Sequence, residues 1–133
     1  MTMTLINPAS LGAPKGYSNG VLVESVGKLL FIAGQIGWSA DQEIMSHDFV
    51  EQFERALSNV IDVVEEAGGS SDNIVRLTLY VTDKNEYRAR TTEIGERYRK
   101  LMGKHFPAMV LVEVKGLLDD NAKVEIEGTA VIF

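Results

Sequence analysis

One apolar stripe along residues 49–67 constrains the fold of this chain more strongly than its other features do. Apolar side chains recur there at spacings of three and four, which is typical of an amphipathic helix. They are Phe49, Val50, Phe53, Leu57, Val60, Ile61 and Val64. Asp48 with Glu51 forms a capping-box-like start, and Gly68 is a common helix stop. The pattern predicts a helix that buries one face against the rest of the chain.

Two short β-rich runs precede this helix. They span Val21–Val26 and Leu29–Ala33 and are separated by Gly27 and Lys28, so they predict a β-hairpin. Residues 7–20 are rich in Pro, Gly, Ala and Ser and are predicted to form a loop. The segment 34–45 has no periodicity and is also predicted to be a loop.

A second helix is predicted over residues 84–102. Asp83 with Glu86 forms its capping signal, and Gly103 follows its last turn. Its apolar stripe consists of Tyr87, Ile94, Tyr98 and Leu101. This helix is therefore expected to pack beside the first one.

Three further strands complete the pattern. Residues Ile74–Val81 alternate between apolar and polar side chains, Pro107 opens a strand over 107–114, and Val124–Ile132 forms the last strand. The order is strands, helix, strand, helix, strands. The sequence therefore predicts one α+β domain over residues 1–133, with a mixed sheet and two helices on one of its faces.

The strand patterns also predict which side chains face the helices. The predicted helix-facing set is Ala108, Val110, Val112 and Val114 with Val124, Ile126, Ala130 and Ile132. The predicted opposite set is Met109, Leu111, Glu113, Glu125, Glu127, Thr129 and Val131. Because apolar side chains on an uncovered face would meet water, we expect a second copy of the chain to cover that face.

Composition excludes several classes of function. The 133 residues include no cysteine, so disulfides and thiolate sites are impossible, and His47 and His105 lack metal-binding spacing. These residues therefore give no support for a zinc site. A net charge of −6 disfavours a nucleic-acid partner. No apolar run reaches the ~20 residues that span a membrane, and the N-terminus does not resemble a secretion signal. We expect a soluble, cytoplasmic protein with no membrane partner.

Six short motifs resemble those of a known family, in the same order and over about residues 14–132. They are Gly16-Tyr17-Ser18, Phe31-Ile32-Ala33-Gly34-Gln35-Ile36, Glu65-Glu66-Ala67-Gly68, the run from Leu79 to Tyr87, Phe106-Pro107-Ala108 and Val124-Glu125-Ile126-Glu127. Through them the sequence resembles the YjgF/RidA (reactive intermediate deaminase) family.

This resemblance implies a fold, an assembly and an activity. Such proteins have a chorismate-mutase-like α+β fold and form homotrimers with ligand sites in clefts between subunits. Typical members hydrolyse enamines and imines, such as 2-aminoacrylate released by pyridoxal-phosphate enzymes, to ketoacids and ammonia without a cofactor. The resemblance therefore implies a small-molecule substrate.

The resemblance also implies roles for individual residues. Glu125 matches the glutamate that would orient the attacking water, and the backbone at Ala33 and Gly34 would line the pocket. Tyr17 and Asn85 would lie at its rim. A structural explanation stays open for each residue, since Glu125 could simply be solvated, Tyr17 could pack at a subunit edge and Asn85 could serve a turn.

Position 109 departs from the family pattern. Typical members read Pro-Ala-Arg, and the arginine grips the carboxylate of the substrate, whereas this chain has Pro107-Ala108-Met109. Methionine has no charge and no donor, and a charge-assisted contact is worth ~1.5–3 kcal/mol. We expect Met109 and Leu111 to line a cleft for a neutral or more hydrophobic ligand.

Other residues leave alternatives open. Lys15, Arg88 and Arg90 are cations that could replace the missing arginine, although surface positions are the simpler interpretation. Trp38 could form a pocket wall or pack at a subunit contact.

Three functions follow from these patterns. The favoured one is a divergent enamine or imine hydrolase that uses Glu125. The alternative is a non-catalytic trimer that binds a small metabolite. The third is an endoribonuclease, an activity attributed to some relatives, which the acidic charge disfavours.

Overall fold

The computed structural model describes residues 2–24 and 27–133. Its strands are β1 (Thr2–Ile6), β2 (Gly20–Glu24), β3 (Lys28–Gln35), β4 (Ile74–Val81), β5 (Ala108–Glu113) and β6 (Val124–Ile132). Its helices are α1 (Phe49–Glu66), α2 (Lys84–Ala89) and α3 (Thr91–Met102).

The main sheet has four strands in the order β3-β6-β4-β5. Strand β6 runs antiparallel to both of its neighbours, and β5 runs parallel to β4, so the sheet is mixed as predicted. Helix α1 packs across β3 and β6, and α3 packs against α1. These helices cover one face of the sheet, and we call the other face the open face.

The predicted helix over residues 49–67 is confirmed as α1, and all seven apolar residues of its stripe are buried. The Asp48 side chain accepts a hydrogen bond from the backbone N–H of Glu51 at 3.0 Å. Gly68 adopts a φ of +94°, a left-handed conformation that side chains disfavour. Local caps therefore fix both ends of this helix.

The predicted second helix is divided into α2 and α3 at Arg90, which leaves helical geometry with φ −126° and ψ 29°. The Arg90 guanidinium bonds Asp48 Oδ1 at 2.5 Å through Nη1 and Glu93 Oε1 at 3.0 Å through Nε. These bonds hold the junction against the start of α1. The capping prediction is confirmed, since Asp83 accepts from the backbone N–H of Asn85.

The predicted hairpin between the first two β-rich runs is wrong. Within the described residues, β2 pairs with β1, a strand that the sequence pattern did not reveal, and β3 pairs with β6. Ser25 and Val26, the last two residues of the run Val21–Val26, lie outside the described residues. Strand pairing between distant segments decides this arrangement, and local alternation carries no information about it.

The predicted orientation of β5 is also wrong. Met109 lies opposite Leu77, and Leu111 lies opposite Leu79, so both side chains pack against the core beneath the helices. Val110 and Val112 point to the open face, where Val110 is 43% exposed. Because β5 is apolar at every position before its terminal glutamate, alternation could not identify its buried face.

Candidate functional site

The open face brings Glu125 and Gly34 together. Glu125 lies on β6, and Gly34 lies on the neighbouring strand β3, beside a register shift between Ile32 and Gln35. A Cβ atom at Gly34 would lie 2.0 Å from Glu125 Oε2 and 2.8 Å from Cδ. The missing side chain at position 34 therefore makes room for the carboxylate.

A tyrosine lies in the same row as this carboxylate. Tyr80 on β4 is the partner of Glu125 across the ladder, and its hydroxyl donates to Glu127 Oε1 at 2.7 Å. The hydrogen bond to Glu127, followed by burial and the charges of Glu127 and Glu125, raises the pKa of Tyr80 above its usual value. Tyr80 is therefore a protonated hydrogen-bond donor beside the candidate base at neutral pH.

A groove of about 520 Å³ continues along this face from Glu127. Arg76 lines it and, in the part of the chain that the structure describes, has neither a carboxylate partner nor a side-chain hydrogen bond. Phe31 is 76% exposed at the same groove, and Ala33 and Thr78 also line it. The groove thus combines a free cation with apolar surface.

Arg76 and Tyr80 were absent from the predicted site, although a signal for them existed. Both occupy the polar side of the alternating strand Ile74–Val81, and Glu125 lies on the polar side of β6. Adjacent strands of one sheet share their faces, so these side chains lie on one face once β4 and β6 pair, with Tyr80 opposite Glu125 and Arg76 opposite Thr129.

Tyr17 and Asn85 lie in different surroundings. Tyr17 lines a hollow of about 330 Å³ with Arg76 and Ala108, next to Ser18, whose backbone N–H donates to Pro107 O at 3.0 Å. Tyr17 therefore reaches the same face as Glu125 at the start of β5. Asn85 is exposed in the first turn of α2, where its backbone N–H bonds Asp83, so its geometry fits the turn explanation.

Met109 and Leu111 do not belong to the open face. Both side chains leave the sheet towards the helices, whereas Glu125 leaves it on the other side. Within one protomer Met109 and Glu125 therefore lie on opposite sides of the sheet, and the predicted cleft between subunits, which would join residues of two copies, stays a prediction. Met109 lines a pocket of about 500 Å³ on the helix side and also borders the hollow beside Tyr17 and Arg76.

The structure also gives the positions of the remaining candidates, which are the three cations and Trp38. Lys15 lines the same helix-side pocket as Met109. Arg90 forms ion pairs with Asp48 and Glu93. Arg88 is exposed, and Trp38 is half-buried in the loop after β3, where its carbonyl accepts a hydrogen bond from Asn59 at 3.0 Å.

Within residues 2–24 and 27–133, no group of three or more histidine, aspartate or glutamate side chains is arranged to hold a metal ion. No helix in this same part is long and apolar enough to cross a membrane.

Known proteins resemble this chain over nearly its whole length. A family model described as endoribonuclease L-PSP matches residues 8–132. A RutC family protein from Aquifex aeolicus is 41% identical over 115 residues, which cover 86% of this chain and 87% of that protein. The 2-iminobutanoate/2-iminopropanoate deaminase of Capra hircus is 30% identical over 125 residues, covering 93% of this chain and 83% of the deaminase.

A solved structure agrees in fold. A protein of the conserved Rid family from Yersinia pestis superposes with a TM-score of 0.86 at 30% identity, covering 99% of this chain and 100% of that one. The α+β arrangement described above is therefore an arrangement found among Rid proteins.

Proposed function

We propose that this chain, which belongs to the YjgF/RidA (Rid) family, hydrolyses imines or enamines on its open face. Its membership follows from the endoribonuclease L-PSP family model, which matches residues 8–132, and from the fold that it shares with a Rid protein. The observation that carries the proposal is the position of the Glu125 carboxylate over Gly34. The missing side chain at position 34 gives this carboxylate its place on the open face, where it can orient a water.

The chemistry needs a positioned water and a proton path. The oxygen of water attacks the carbon of the C=N bond while Glu125 accepts a proton from that water. The resulting carbinolamine takes a proton on nitrogen and expels ammonia, which leaves a carbonyl compound. One imine and one water thus give one carbonyl compound and one ammonia. The Tyr80 hydroxyl donates its one proton to Glu127 and so fixes that carboxylate next to the row of Glu125.

The relative's name and the groove together suggest the substrate class. The Capra hircus protein is named a deaminase of 2-iminobutanoate and 2-iminopropanoate, which are small imino acids. Met109 cannot hold their carboxylate as the arginine of the family pattern would, because methionine has neither a charge nor a donor. Arg76 lies in the groove and is our candidate for that contact. A carboxylate-binding arginine at position 76, and not at position 109, would alter the substrate preference.

We further propose that the active assembly is a homotrimer with clefts between subunits. The open face exposes Phe31 at 76% and Leu29 at 58%, along with Val110 and Val112. Covering these side chains with a neighbouring copy would remove apolar surface from water and exclude bulk solvent from the groove.

The decisive experiment measures ammonia release from 2-iminopropanoate and 2-iminobutanoate generated in situ by an amino-acid oxidase. We expect turnover above the buffer rate and a loss of at least about 100-fold in Glu125→Gln, the usual range for a general base. Glu65→Gln, which changes an exposed carboxylate at the end of α1, serves as the matched control and should retain activity.

Two results would overturn the proposal. Saturable binding of the keto-acid product without any turnover would favour the non-catalytic metabolite-binding protein. Cleavage of RNA by a purified sample that leaves imines unchanged would favour the endoribonuclease activity named in the family description.

A further inference from the structure

A separate pocket lies between α1, α3 and the segment that follows β3. Its volume is about 410 Å³, within the range of small-molecule pockets. The segment lies close against the helix, since a Cβ atom at Gly37 would be 2.8 Å from Gln52 Cα. The pocket shares no lining residue with the open-face groove or with the pocket and hollow beside Met109. It is therefore distinct from every site described above.

Two amide side chains of α1 hold this segment in place. Gln52 Nε2 donates to Ser46 O at 2.8 Å, and Asn59 Nδ2 donates to Trp38 O at 3.0 Å. Arg55 lies three residues after Gln52 and four before Asn59, so the three side chains leave the helix on the same side. The surroundings of Arg55 are therefore fixed by hydrogen bonds that do not involve Arg55 itself.

Arg55 is an unpaired cation in the lining of this pocket. Its Nε atom is buried without a hydrogen-bond partner, and its guanidinium forms no ion pair within residues 2–24 and 27–133. A buried donor without a partner is costly. The lining also contains Arg97 and Lys100, but both of these pair with Glu54. Arg55 therefore remains available to an anion from solution.

Glu51 supplies the opposite charge one helical turn away. A glutamate four residues before an arginine is the order that favours an ion pair on a helix. Glu51 and Arg55 line the same pocket, yet they form no ion pair in the part of the chain that the structure describes. Glu51 acts on Arg97 through its charge alone, and Arg97 is hydrogen-bonded to Glu54. The pocket thus holds a cation and an anion that do not neutralise each other by direct contact.

Two apolar side chains also line the pocket. Met45 is 59% exposed, and Leu101 of α3 is half-buried. A hydrocarbon group placed against them would remove apolar surface from water, and the flexible methionine can adapt to its shape. The lining therefore favours a ligand with an apolar part as well as charges.

We propose that this pocket binds a free α-amino acid with an apolar side chain. Its carboxylate pairs with Arg55, its ammonium group pairs with Glu51, and its hydrocarbon part packs against Met45 and Leu101. Such a zwitterion satisfies both charges at once, whereas a simple anion would be repelled by Glu51 and a simple cation by Arg55. The site goes beyond the proposed imine hydrolysis, because none of its lining residues belongs to the open face.

Calorimetric titration of the full chain with L-leucine tests this site against two analogues that each lack one charge. They are 4-methylpentanoate, which lacks the amino group, and 3-methylbutylamine, which lacks the carboxylate. We expect leucine to bind at least about 10-fold more tightly than either analogue, because each analogue loses one charge-assisted contact. No imine is present, so the result is independent of hydrolase activity.

Two variants assign the two contacts. Arg55→Gln should weaken leucine binding at least about 10-fold without weakening that of 3-methylbutylamine, and Glu51→Gln should weaken leucine binding without weakening that of 4-methylpentanoate. A loss of folding cannot produce these opposite patterns. Arg88→Gln removes an exposed cation outside the pocket and should bind leucine like the unaltered protein. Equal affinities for leucine and its analogues, unchanged leucine binding in Arg55→Gln, or no binding at millimolar leucine would each overturn the proposal.

Discussion

The carboxylate of Glu125 fills the space that a side chain on Gly34 would occupy, with Oε2 only 2.0 Å from the Cβ position. Two adjacent strands hold the pair, so the carboxylate cannot keep its place if position 34 changes. The contact therefore links one backbone position on β3 to the chemistry proposed for β6.

Gly34→Ala should consequently displace Glu125 without unfolding the protein, because the atoms in the way belong to a flexible side chain. We expect kcat/KM for imine hydrolysis to fall at least about 10-fold, since small misplacements of a reacting group are costly. Stability should change by less than about 1 kcal/mol. Gly116→Ala is the control, because a Cβ there meets no atom within 4 Å. Full activity in Gly34→Ala would contradict this account of the site.

Arg76→Ala tests the carboxylate anchor in the open-face groove. Loss of a charge-assisted contact should raise KM for imino acids by about 10-fold or more, while kcat changes less, because the contact exists before and during the reaction. Steady-state kinetics on 2-iminopropanoate measures both constants. Arg88→Ala is the control cation, and an unchanged KM in Arg76→Ala would show that the carboxylate binds elsewhere.

Phe31→Asp tests whether the open face is covered by another copy. An aspartate in a buried subunit contact would lose its hydration, so the assembly should dissociate into smaller species. Sedimentation velocity at micromolar concentration measures this. Leu118→Asp is the control, since Leu118 is fully exposed outside the sheet. A monomeric parent protein would reject the proposed trimer directly.

Gln52→Leu should destabilise the fold strongly. Gln52 is 1% exposed, its Nε2 donates to the carbonyls of Ser46 and Asn121, and its Oε1 accepts from the backbone N–H of Lys123. Leucine would leave these buried groups unpaired, so we expect a loss of about 2–4 kcal/mol in the free energy of unfolding. Urea denaturation measures it, and Glu65→Ala on the same helix should stay within about 0.5 kcal/mol. A loss as small as that control would contradict the prediction.

Acid should weaken the contact between α1 and α3 through Glu54. The hydrogen bond from Lys100, joined by the contact with Arg97, lowers the pKa of Glu54 below 4.5. A lowered pKa gives stability that is present above 4.5 and lost as pH falls through the lowered value. Glu54→Gln should therefore show a smaller drop in unfolding free energy between about pH 5 and pH 3. Equal slopes for parent and variant would exclude this role, and Glu65→Gln is the control.

Local signals in the sequence determined the helices. The stripe from Phe49 to Val64 and the caps at Asp48 and Asp83 depend on residues a few positions apart, so they can be recognised without knowledge of the fold. The motifs that resemble the YjgF/RidA family likewise indicated the family and the neighbourhood of Gly34 and Glu125.

Tertiary structure alone decided which strands pair and which face of β5 is buried. Met109 and Val110 are both apolar, so alternation fits either orientation, and only the pairing of Met109 with Leu77 places it beneath the helices. The same pairing separates Met109 from Glu125 and brings Tyr80 beside Glu125 instead. Contacts between residues far apart in the chain select among orientations that local sequence leaves equal in energy.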